Sequence, residues 1–61
     1  SSNRRMLIQN YTGLLEYDDE VVRVNTKIGV VKIEGKKLAI ENMTAEEVQI
    51  CGFFTQIQFT V

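Results

Sequence analysis

The apolar positions of this chain recur every second residue in short bursts, and the bursts are separated by glycine or acidic breaks. Alternation with period two is the pattern of a strand with one face on a core and the other in water. Arg5 to Tyr11 reads as a first strand, with Met6 and Ile8 on one face and Leu7 and Gln9 on the other. Thr12-Gly13 breaks that pattern, and Leu14 to Tyr17 forms a second strand in which Leu15 and Tyr17 share a face. Asp18-Asp19 suits a tight turn, because short acidic side chains accept hydrogen bonds from nearby backbone amides. The third strand, Val21 to Ile28, turns Val22, Val24, Thr26 and Ile28 inward and Arg23, Asn25 and Lys27 outward.

Beyond Gly29 the inward positions switch from even to odd, at Val31 and Ile33, so a turn or bulge is required there. Gly35-Lys36 is the strongest hairpin signal, after which Leu38 and Ile40 resume the inward face. Thr44 followed three residues later by Glu47 fits a helix cap, but no apolar repeat at helical spacing follows, which predicts a single turn. Val48 and Ile50 are inward on even positions; Ile57, Phe59 and Val61 are inward on odd ones. Gly52 is the natural corner between the two phases. The bursts at Val21, Val30, Leu38, Val48 and Ile57 begin 9, 8, 10 and 9 residues apart. The expectation is an all-β fold, a small curled antiparallel meander, sandwich- or barrel-like, of five to seven short strands. A short β-solenoid is the alternative. Residues 1–4 are read as a disordered or cloning-derived N-terminus and residues 5–61 as one small all-β domain.

Composition narrows the ways such a domain can be stabilised. A chain of 61 residues buries only ~60% of its unfolded surface, and chains of this size lean on disulfides, metals or partner subunits. Cys51 is alone and there is no histidine, so neither an internal disulfide nor a structural zinc site is available. Association with other chains is the support left open. Seven Lys and Arg against eight Asp and Glu, interspersed, lack the basic excess of a nucleic-acid surface. No apolar run is long enough for a transmembrane segment, and Ser1-Ser2-Asn3-Arg4-Arg5 lacks the features of a signal peptide.

The candidates for chemistry are few. Asp18 with Asp19, and Glu46 with Glu47, lie in expected turns, where solvation leaves a carboxylate ordinary. Cys51 has no neighbouring base in sequence and reads as a small hydrophobe. Asn10-Tyr11-Thr12 and Asn42-Met43-Thr44 match the glycosylation triplet, but as strand-end and turn residues. Lys27, Lys32, Lys36 and Lys37 have Glu34 and Glu41 among them and read as a solvated face. Phe53 and Phe54 are adjacent, so on a strand they face opposite sides, and an outward ring would mark a contact surface. These two with Ile57 and Phe59 form the candidate interface; Gly13, Gly29, Gly35 and Gly52 are the candidate turns and bulges. No catalytic residue, cofactor or metal ligand is assigned, and an enzyme is not expected.

The run Ile8-Gln9-Asn10-Tyr11-Thr12-Gly13-Leu14-Leu15-Glu16-Tyr17 resembles a block of the YabP/YqfC family of sporulation proteins. Val24 to Gly29, then Ile33 to Leu38, is similar to that family's glycine-punctuated core. Met43 to Gly52 with Ile57-Gln58-Phe59 is similar to its closing pattern, and the likeness is nearer the YqfC branch. The resemblance implies a non-catalytic, sporulation-associated assembly or scaffold protein of Firmicutes, in the cytoplasm of the mother cell or peripheral to a membrane. It further implies a membrane protein of spore formation as partner. The uncharged end of the chain implies homo-oligomerisation through edge strands. Two other classes stand beside this reading: a small β-barrel binding module for a ligand or nucleic acid, and a polymer-forming solenoid.

Overall fold

The computed structural model describes residues 3–61, and they form five antiparallel strands in a single sheet. The strands are β1 (Arg4–Gln9), β2 (Tyr11–Tyr17), β3 (Val21–Thr26), β4 (Gly29–Met43) and β5 (Glu47–Thr60), in the spatial order β1-β5-β4-β3-β2. The described residues contain no helix, hence none long and apolar enough to cross a membrane. The N-terminus expected over residues 1–4 falls partly on Ser1 and Ser2, outside the described residues, whereas Arg4 is paired with Gly52.

Two long strands organise the sheet. β4 pairs with β3 through its first part, from Thr26↔Gly29 to Val21↔Glu34, and with β5 over nearly its whole length. The β4–β5 register slips three times, between Glu34 and Gly35, between Lys36 and Ala39, and between Ile40 and Asn42. Such bulges bend and over-twist a sheet, and here they curl it over its own inner face. The curl buries Ile8, Val22, Val24, Ile33, Leu38, Val48 and Ile50 together, with Met6, Tyr11, Leu14, Val31, Ile40 and Phe54 packed around them. Full burial of one such aliphatic chain is worth about 1.5–3 kcal/mol. Seven of them make a modest core.

β1 and β2 lie at opposite ends of the strand order yet are joined by Asn10 alone, which takes a φ of 60°. The kink lets one nearly continuous N-terminal segment serve both ends of the curl. β2 then runs beside the second part of β4, but no ladder joins them. Tyr11 Oη donates to the Thr44 carbonyl at 2.7 Å, and the Ile40 amide donates to Tyr17 Oη at 3.2 Å. Isolated backbone bonds flank this seam, from the Asn10 amide to Glu46, Leu38 to Asp19 and Gly35 to Glu20. The sheet is therefore curled but is not a closed barrel.

Several expectations are corrected. The Gly35-Lys36 hairpin is absent, and β4 passes straight through it, so the bursts at Val30 and Leu38 belong to one strand. Gly35 is needed for a different reason: a Cβ there would collide with the Phe53 carbonyl. Thr12-Gly13 does not interrupt β2, and the side chain turned to the core is Leu14, with Leu15 and Tyr17 exposed. The cause is a pair of register shifts, flanking Gly13 and Leu14. Ile28 is 73% exposed because β3 stops at Thr26 and Lys27-Ile28 is the turn, where Thr26 Oγ1 accepts from the amides of Ile28 and Gly29. The Asp18 turn forms as expected, its Oδ1 accepting from the Glu20 and Val21 amides at 2.8 Å each. Thr44 to Glu47 is likewise a single turn, in which Thr44 Oγ1 accepts from the Glu46 and Glu47 amides.

Candidate interaction surface

β5 carries no charged residue after Glu47. Its first part, Glu47 to Gly52, is sandwiched between β1 and β4; from Phe53 onward, among the described residues, only β4 pairs with it. The change falls at Gly52, whose φ is +144° and whose missing side chain lets Leu38 approach to 2.8 Å of where a Cβ would stand. Gly52 is thus the corner anticipated from the phase change, and it is buried.

Beyond the corner the strand presents one uncovered edge. Ile57 lies opposite Ile33 and Phe59 opposite Val31, and directly opposed residues in an antiparallel pair share a face. Both are therefore on the inner face, as their alternation indicates, but they are 50% and 51% exposed. Among the described residues β1 does not reach far enough along β5 to cover them, and Val61 is wholly exposed. The adjacent phenylalanines divide between faces. Phe54 packs against the core, Phe53 lies opposite Lys36, and both are half-buried. The alternation of β5 reveals which way Ile57 and Phe59 point. Their exposure depends on where β1 ends, which is a property of another strand.

Next to Phe59 is a cleft of about 370 Å³, also lined by Gln9, Asn10, Thr26, Lys27, Ile28 and Val31. One aromatic ring and one cation are too few for the stacked, basic groove that binds single-stranded nucleic acid.

The remaining polar groups are engaged in holding the chain. Arg5 makes a two-pronged contact with Glu41, at 2.8 and 3.2 Å, and this hydrogen bond, aided by the carboxylate's charge, raises its pKa. Lys36 Nζ is 2.9 Å from Glu20, and that hydrogen bond likewise raises the lysine. Both pairs are exposed. Arg23 is 3.6 Å from Glu16 and Lys32 3.6 Å from Glu34, so the lysine-bearing face is interlaced with acids. Gln9 donates to Glu47 at 2.9 Å. Cys51 is a free, half-buried thiol opposite Arg5 and Ala39. Among the described residues no three His, Cys, Asp or Glu side chains cluster so as to hold a metal ion.

The architecture defines a class: a small all-β protein built on one curled antiparallel sheet with an open, uncharged edge. The YabP family model matches residues 1–61, and the chain belongs to that family. Membership is consistent with a sporulation-associated protein. The match is to the family as a whole; the likeness to the YqfC branch stays a resemblance. No curated protein matches the chain.

Proposed function

We infer that this protein is a non-catalytic assembly module of spore formation that works by associating with other chains, its own copies first. The observation that carries the reading is the β5 segment from Phe53 to Thr60, paired among the described residues with β4 alone, uncharged, and bearing half-exposed Ile57 and Phe59. Unpaired backbone donors and acceptors on a sheet edge form a template for another strand, and natural proteins usually blunt such an edge with charge, proline or a bulge. From Gln56 to Thr60 this one has none of the three. Family membership supplies the setting, and the resemblance suggests the mother-cell cytoplasm beside a membrane protein of spore formation.

Of the acids weighed for catalysis, Asp18, Asp19, Glu46 and Glu47, Asp18 accepts from the amides of its turn and Glu47 from Gln9. Sedimentation of the full chain from about 10 µM to 1 mM, a range that brackets weak interfaces, is expected to show the mass rising above that of one chain. A one-chain mass throughout would overturn the reading. A salt-sensitive shift with a single-stranded oligonucleotide would instead favour a nucleic-acid-binding module.

A further inference from the structure

We propose that copies of this chain associate by exchanging β1: the kink at Asn10 straightens, and β1 of each copy pairs with β5 of the other about a two-fold axis. The exchange rests on the assembly reading above and gives it a route, through β1 rather than through β5 beyond Gly52.

The hinge is a single residue inside the chain. β1 and β2 are strands of six and seven residues with Asn10 alone between them, so a straight Arg4–Tyr17 would run as long as the fourteen residues of β5. What bends this segment is the φ of 60° at Asn10. That is the left-handed region, which is unfavourable for a residue with a side chain; asparagine tolerates it better than most, and glycine takes it freely. Short, bent connections favour exchange, because straightening the connection relieves the bend and carries the strand away from its own chain.

The strand that would move is held by one ladder. Among the described residues β1 has a single sheet neighbour, β5, from Arg4↔Gly52 to Gln9↔Glu47. Lifting β1 away takes Ile8 and Met6 off the core and uncovers the edge of Glu47–Gly52, where Val48 and Ile50 are otherwise fully buried. A single chain opened in this way loses much of a small core. A second copy supplies the same strand to the same edge, and the contacts are restored between chains. These include the side-chain bonds of Arg5 with Glu41 and of Gln9 with Glu47, which cross from β1 to β4 and β5.

Cys51 offers a reporter of which copy supplies β1. Arg5 stands directly opposite it in the β1–β5 ladder, and opposed Cα atoms of an antiparallel pair lie about 4.5–5.5 Å apart, within reach of a disulfide. Arg5 is exposed, so Arg5→Cys leaves the core intact. The full-length variant is refolded from denaturant at high concentration, its dimer fraction is oxidised mildly, and the product is denatured without reductant. The expected product is a covalent dimer joined through the introduced thiol and Cys51. In a dimer that keeps each β1 on its own chain, the same bond closes within one chain and single chains are released. The hinge gives a second measurement. Asn10→Val disfavours a positive φ, and its association constant in sedimentation is expected to be at least about tenfold above that of Asn10→Gly, which accepts the kink. If the wild-type chain associates but the oxidised dimer releases single chains, or the two hinge variants associate alike, exchange hinged at Asn10 is wrong and the assembly reading survives. If the refolded wild-type chain sediments as one copy at every concentration, both are wrong.

Discussion

Glycine has two different jobs in this chain, and substitution separates them. A Cβ on Gly35 would strike the Phe53 carbonyl, an atom of a paired backbone with little room to yield. Gly35→Ala is expected to cost about 2–4 kcal/mol, the range of strained or overpacked sites. For a chain this small that lowers the thermal midpoint by about ten degrees or more, on the order of 4–8 °C per kcal/mol. At Gly13 a Cβ meets nothing within 4 Å, so Gly13→Ala should stay within about 0.5 kcal/mol of the parent. Equal losses in the two variants, measured by thermal unfolding, would contradict the assignment. Asp18→Ala removes the acceptor of two turn amides and is expected to cost about 1 kcal/mol. The acidic turn is legible because Asp next to Asp has few other uses between two strands. Gly35 is not, because a glycine needed for close approach and a glycine needed for a turn look alike in one dimension. The pH response belongs to this scale too. Glu20 raises the pKa of Lys36, so the pair's contribution is complete below the unfolded lysine's pKa and disappears as pH rises through the folded one. The advantage of wild type over Glu20→Gln should thus hold to about pH 9 and fade above about pH 10.5 in thermal melts.

At the level of elements, alternation shows which face each residue takes but not how far a strand runs. In sequence β4 reads as two shorter pieces because Gly35 looks like an end, whereas Gly35 lies inside its strand as Gly52 lies inside β5. The bulges at those points reset the phase, so a continuous strand carries the signature of a broken one. The tyrosine seam is illegible for a related reason. Tyr11 and Tyr17 share one strand, and their acceptor and donor lie on or just past another, at Thr44 and Ile40. Only the curl brings them together. Tyr11→Phe and Tyr17→Phe should each cost about 1 kcal/mol, and the Ile40 amide should exchange faster in Tyr17→Phe alone. Unchanged exchange there would show that the hydroxyl does not close the seam.

At the level of the whole molecule, the sequence defines the fold class and the inner-facing residues of β3, β4 and β5, while the order of the strands is out of its reach. The candidate interface depends on that order, since among the described residues β1 pairs with β5 only as far as Gly52. The same pairing has a consequence for how the protein is made. Met6 and Ile8 meet Ile50 and Val48, so β1 is completed by β5, a strand made well after it. The hairpin of β3 with the start of β4 can form early, from residues close in sequence. The apolar face of β1 must wait for its partner strand until Glu47–Gly52 of β5 has been synthesised. Nascent chains truncated before Val48 should therefore lack the native core.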